Sequence, residues 1–187
     1  KIKNPVHNVK IGVVGKYTNL KDSYKSLNEA LIHGGIANNA KVDIKWINSE
    51  EKNNKNIIKE LNDLEGILIP GGFGYRGIEG KIAAIKFARE KNIPFFGICL
   101  GMQLAVIEIA RNVLGLKKAN STEFVDTKFP VVGLMTEWLN KNKIEKRNKN
   151  SDKGGTMRLG AYKAILKKGS KINKIYNKNH ISERHRH

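Results

Sequence analysis

"IPFFGICLGMQLAV", residues 93–106, holds the chain's only cysteine, Cys99, between two glycines after an apolar run. A short apolar run ending in glycine reads as a buried strand, and the apolar residues that follow at helical spacing read as a helix. A cysteine alone is most often a small buried hydrophobe. Gly97-Ile98-Cys99-Leu100-Gly101, however, fits G-x-C-x-G, the cysteine form of the nucleophile elbow. Glycines flank such a nucleophile because a strand reversing straight into a helix crowds its neighbours. Cys99 then stands at the N-terminus of a helix over 102–115, where the macrodipole and unpaired N–H groups favour negative charge at sulfur. The Leu100 N–H points into the same space and can bind an oxyanion. This context reads as a nucleophile rather than a space-filler.

The same alternation extends outward in both directions. "VKIGVVGKY" (9–17), "KVDIKWI" (41–47) and "GILIPGG" (66–72) read as strands. Between them, 21–38 has helical spacing, with Tyr24, Leu27, Leu31 and Ile32 on one face and Gly34-Gly35 marking its end. Residues 53–64 and 81–92 read as helices, and the 102–115 helix is stopped by Gly115. Strands alternating with helices through short connections predict an α/β fold: an open, mostly parallel sheet with helices on both faces. Beyond Gly115 the pattern weakens. "FPVVGLM" (129–135) and "TMRLGAYKAIL" (156–166) look strand-like, and 140–155 is a polar excursion, a hairpin or loop.

Ligands gather at the carboxyl ends of strands in such sheets. Two strands end there in glycine-dense turns, "LIPGGFGYRG" (68–77) and "FGICLGMQ" (96–103). The first is either an ordinary turn or a backbone-lined wall of the same site, where Gly71 and Gly72 would admit a substrate and offer a second oxyanion N–H. It lacks the dinucleotide fingerprint, and "VGKY" at 14–17 is too short to be a P-loop.

With 187 residues, 40% of them hydrophobic, the length suits one compact domain. No apolar run approaches the roughly 20 residues that cross a bilayer. The N-terminal stretch shows no signal-peptide architecture, and one cysteine excludes an internal disulfide framework, so a cytoplasmic setting is expected. The net charge of +18 lies mostly in lysine–asparagine segments with few aromatics, which argues against nucleic-acid binding as the main role.

"GICLGMQ" following "PGGFG" resembles the class I (triad-type) glutamine amidotransferases. "GKYTNLKDSYKSLNEALIHGG", "ANSTEF", "GGTMRLGAY" and "ERHRH" narrow the resemblance to the glutaminase domains of the CTP synthase family, over nearly the whole chain. The resemblance implies a flavodoxin-like fold in which Cys99 attacks the side-chain amide of L-glutamine, forms a thioester and releases ammonia. It implies that Gly72, Phe73, Leu100, Gly101, Met102, Gln103 and Glu123 bind glutamine, Glu123 accepting hydrogen bonds from its ammonium. Gly71, Gly72 and Leu100 would hold the oxyanion. It further implies a synthetase domain in the same chain, using ATP and Mg to aminate UTP, GTP as an allosteric effector beside Arg76 and Arg147, and a homotetramer. No cofactor or metal is expected in the glutaminase part itself.

In that family the base and its orienting carboxylate belong to an H-P-E motif well beyond "ERHRH", and the arginine that directly follows "RHRH" grips the substrate carboxylate. None of His7, His33, His180, His185 or His187 stands in that context. The expectation is therefore a linker remnant at 1–8 and a C-terminally incomplete glutaminase domain at 9–187. Two alternatives remain at the level of sequence: another cysteine hydrolase or amidotransferase of this fold, and a non-catalytic binding module. "GTMRLG" and "ERHRH" favour the first reading, since the general class needs neither.

Overall fold

The structure, a computed structural model, describes residues 5–16, 21–51, 53–140, 143–146 and 159–186. They form two compact units, Lys1–Gly133 and Leu134–His187.

The first unit opens with β1 (His7–Gly15), a short 3-10 turn (Lys21–Tyr24) and α1 (Lys25–Ala37). There follow β2 (Ala40–Asn48), α2 (Asn54–Leu61), β3 (Gly66–Ile69), α3 (Ile78–Glu90), β4 (Phe95–Gly97) and α4 (Leu100–Asn112). The strands pair in the order β2-β1-β3-β4, all parallel, as the β/α alternation predicts. With this strand order, the right-handed crossover rule puts α1 on one face and α2 and α3, whose crossovers run the opposite way across the sheet, on the other. α4 packs beside α3.

The core lies on the face covered by α2, α3 and α4. Ile57 and Leu61 of α2, one turn apart, meet Ile82 and Ile85 of α3 and Leu104 and Ile107 of α4 over Val14, Ile47, Ile67 and Ile69 of the strands. β-branched strand residues and one buried stripe per helix supply this packing. α2 begins at Asn53, whose side chain accepts the Lys55 N–H at 3.0 Å. Beyond α4, β5 (Asn120–Ser121) and β6 (Pro130–Val132) form a small parallel pair.

Three boundaries differ from the sequence reading. α1 does not end at Gly34-Gly35; it continues to Ala37, and Asn39 takes the left-handed turn with φ 56°. Gly35 serves contact instead, since a Cβ there would stand 2.6 Å from the Ala40 carbonyl oxygen and 2.8 Å from Val42. α3 starts at Ile78 rather than 81. α4 starts at Leu100 and ends at Asn112, with Gly115 turning the chain at φ 74°.

The second unit has two antiparallel ladders. β7 (Glu137–Asn140) and β8 (Lys143–Lys146) make a hairpin at the start of the polar excursion, the rest of which lies outside the described residues. β9 (Leu159–Ile165) pairs with β10 (His180–Arg186), and α5 (Lys171–Tyr176) lies between them in sequence. The sequence pattern predicts no element beyond 166, so α5 and β10 are findings of the structure. None of this unit's described residues is buried. Among the described residues no helix is long and apolar enough to cross a membrane.

Candidate active site

Because the four central strands are parallel, their carboxyl ends share one edge of the sheet. Lys16, Ser49, Pro70 and Ile98 are placed just past those ends. The elbow is tied into that edge by backbone bonds. The Ile98 N–H donates to the Ile69 carbonyl at 2.9 Å, Gly101 N–H to Ile98 at 2.8 Å and Gln103 N–H to Cys99 at 3.1 Å.

Cys99 is the N-cap residue of α4, with φ 51° and ψ −104°, a positive φ that non-glycine residues adopt rarely. The flanking glycines are needed for contact. A Cβ on Gly97 would lie 2.5 Å from the Gly101 carbonyl carbon, and one on Gly101 would overlap the Ile69 carbonyl oxygen. Strand, turn and helix therefore meet backbone to backbone, and the cysteine between them is held half-buried at the turn. Leu100 is fully buried in the core. As the first helical residue, it has an N–H with no intrahelical acceptor.

The 71–74 loop faces the elbow. A Cβ on Gly71 would lie 3.4 Å from Cys99 Cβ and 4.0 Å from its Sγ, so the thiol side chain sits beside that glycine. The corresponding position on Gly72 is 3.7 Å from Leu100 Cδ2. Gly74 has φ 78°, and its N–H donates to Glu123 Oε1 at 2.9 Å. Glu123 is presented by a side-chain turn: its own N–H donates to the Oγ of buried Ser121 at 3.1 Å. Phe73 is 64% and Met102 50% exposed beside this loop and helix start. A cavity of about 360 Å³, lined by Ser23, Tyr24, Ser26, Leu27, Pro70, Gly71 and Ile98, adjoins the elbow on the side of α1.

Cys99, Leu100, Gly71, Gly72 and, through Gly74, Glu123 are thus brought together along one edge. Gln103 is on the first turn of α4. Arg76 pairs with Glu50, Nε to Oε1 at 3.0 Å. Arg147 and His187 lie outside the described residues. His7, His33, His180 and His185 are all exposed.

Sequence reasoning missed three buried polar residues, one of which meets the loop. Lys16 is 7% exposed and its Nζ donates to the Phe73 carbonyl at 2.7 Å. Lys81 is 1% exposed, and burial first, then the charge of Lys16, push its ammonium down to about 8 against the opposing pull of Glu50. Ser49 is buried with its Oγ unpartnered. One signal was available: Lys81 shares the apolar face of Ile78, Ile82 and Ile85 at i, i+3, i+4 and i+7 spacing.

A cysteine on a strand-to-helix elbow, facing a glycine loop at the carboxyl edge of a doubly wound sheet, is the arrangement of the triad-type glutamine amidotransferase fold. The chain belongs to this family, glutamine amidotransferase class-I, whose family model matches residues 19–187. Its relatives include the CTP synthase of Methylorubrum populi, 59% identical over 187 residues, covering 100% of this chain and 34% of the relative. The CTP synthase of Chelativorans sp. is 61% identical over 187 residues, again 100% of this chain and 34% of the relative. A solved structure, the glutaminase domain of Trypanosoma brucei CTPS with bound acivicin, superposes with a TM-score of 0.82 at 42% identity, covering 96% of this chain and 66% of that one. The chain spans about a third of the length of the curated relatives it matches.

Proposed function

We propose that the chain is the glutaminase part of a glutamine-hydrolysing CTP synthase and that Cys99 is its nucleophile. The observation that carries this reading is the backbone of Cys99, held at positive φ on the α4 N-cap between two glycines that admit no Cβ and beside Gly71.

In this reading the Cys99 thiolate attacks the side-chain amide carbon of L-glutamine. The tetrahedral oxyanion takes hydrogen bonds from the Leu100 N–H and the Gly71-Gly72 turn. The C–N bond breaks as nitrogen gains a proton, leaving as ammonia, and water then hydrolyses the γ-glutamyl thioester to glutamate. The resemblance assigns the proton transfers to the histidine of an H-P-E motif. Glu123 has a second role besides the one the resemblance implies: its Oε1 accepts the Gly74 N–H, and Oε2 would accept from the substrate ammonium. Gly72, Phe73, Gly101, Met102 and Gln103 line the glutamine site.

The rest of the reading comes from the resemblance. Ammonia passes to a synthetase domain of the same chain, which uses ATP and Mg to aminate UTP to CTP in the cytoplasm. GTP is the effector, reached by Arg76 and Arg147, and the full-length protein is a homotetramer.

The test uses the intact protein. Cys99→Ala is expected to abolish glutamine-dependent CTP formation while ammonia-dependent formation persists. Acivicin is expected to add covalently at Cys99, read by mass spectrometry of the peptide. Glutamine-dependent turnover in Cys99→Ala would sink the assignment of the nucleophile; absence of CTP formation from either nitrogen source in the wild type would sink the synthase reading.

A further inference from the structure

The site described above leaves two buried lysines with no assigned purpose, and one of them reaches the glycine loop. Lys16 stands one residue past the end of β1 and is more than nine-tenths buried, yet it carries an ammonium. Burying such a group is costly unless its donors are used. Its Nζ donates to one backbone carbonyl distant in sequence, that of Phe73, at 2.7 Å. Lys16 is itself fixed from the other side, because the Tyr24 hydroxyl donates to its carbonyl at 2.5 Å.

The position of that bond matters. The glycine loop meets Cys99 at Gly71 and meets Glu123 through the Gly74 N–H. Phe73 lies between those two points, so the Lys16 bond is a third attachment in the middle of the loop. With three glycines among residues 71–74, the backbone has little stiffness of its own. A charge-assisted bond from the rigid end of a central strand supplies what the local sequence lacks.

We propose that Lys16 is a positioning residue: its ammonium holds the Phe73 carbonyl and so sets the 71–74 backbone against Cys99 in the geometry that receives glutamine. The proposal rests on the glutaminase reading. Lys16 acts through the loop and touches neither substrate nor thiol. Lys81, its buried neighbour, is a separate matter: it makes no bond to the loop and takes no part in holding it.

The experiment compares two alkylation rates of Cys99 in the intact protein. Acivicin, shaped like glutamine, reports the assembled site; iodoacetamide, too small to need the loop, reports the thiol alone. Lys16→Met keeps the side-chain stem and removes the donor. Its acivicin rate is expected to fall about tenfold or more while its iodoacetamide rate stays within about twofold of wild type. Lys16→Arg, which restores a donor, is expected to recover part of the loss, and Lys81→Met is expected to leave both rates unchanged. Should Lys16→Met not fold, the double variant Lys16→Met/Lys81→Met, with both buried charges removed, carries the same comparison. Equal acivicin rates in wild type and Lys16→Met would overturn the proposal, as would a parallel fall in both rates, which marks general loosening. A wild type labelled by iodoacetamide and not by acivicin would instead overturn the glutaminase reading and this inference with it.

Discussion

Gly97, Gly101 and Gly71 stand within a few residues of Cys99 in space, and their substitution separates fold from chemistry. Alanine at Gly97 or Gly101 drives a methyl into backbone, where no rotamer relieves it. Each is expected to cost about 3 kcal/mol or more, measured by denaturant unfolding. Alanine at Gly71 meets only ordinary contacts, the nearest being the Cys99 side chain at 3.4 Å. Gly71→Ala is therefore expected to melt near wild type but to lower glutaminase kcat/KM about tenfold, by crowding the thiol; an unaltered rate would remove Gly71 from the wall of the site. Lys81 gives a stability test with a defined sign. Its ammonium is held down at about 8 against an ordinary 10.5, so between those values the unfolded chain binds more protons and stability climbs with pH. The penalty is full below about pH 8 and gone above about 10.5, with a size on the order of 3 kcal/mol. Lys81→Met is expected to raise Tm at pH 7, and the gap from wild type is expected to close towards pH 10.5. A gap that does not change with pH would show packing rather than charge. The elbow cysteine was legible in sequence because its flanking glycines lie two residues to either side of it. Of the two buried lysines, only Lys81 carries a local signal, its place on the apolar face of α3; nothing in the residues around Lys16 marks its depth.

At the scale of elements, α3 and α4 are joined by more than apolar packing. Glu108 of α4 is fully buried, and Arg89 of α3 grips it through Nε at 3.0 Å and Nη2 at 2.8 Å. Asn112, one turn on, adds a bond to the same carboxylate at 3.1 Å. Removing the arginine leaves a buried charge with only a neutral partner, whereas removing both charges does not. Arg89→Met is accordingly expected to lower Tm by about 5 °C or more, and Arg89→Met/Glu108→Leu to recover most of that loss. If the double variant melts no higher than the single, the pair is contributing shape rather than cancelling charge. Periodicity located these helices but placed their ends two or three residues off. It read Gly34-Gly35 as a stop, although Gly35 is a contact point with β2. The helix stops elsewhere because a glycine accommodated by packing need not break a helix whose hydrogen bonds are intact.

At the scale of the whole molecule, the proposed synthase reading gives Arg76 a role at the loop that follows the glutamine site. Arg76 is paired with Glu50 at 3.0 Å. Arg76→Ala in the intact protein is expected to weaken GTP stimulation of glutamine-dependent CTP formation and to spare the unstimulated rate; undiminished stimulation would rule the contact out. By itself, the sequence determined the parallel β/α alternation, the elbow and the family, because these depend on residues close together along the chain: two-residue and 3.6-residue periods, and glycines beside a cysteine. Only the tertiary structure decided that Gly101 abuts Ile69, that Glu123 accepts the Gly74 N–H, and that Lys16 reaches the carbonyl of Phe73. Those contacts join segments brought together by crossovers of the sheet, and which backbone meets which side chain there is fixed by packing depth and strand order, which no local pattern encodes.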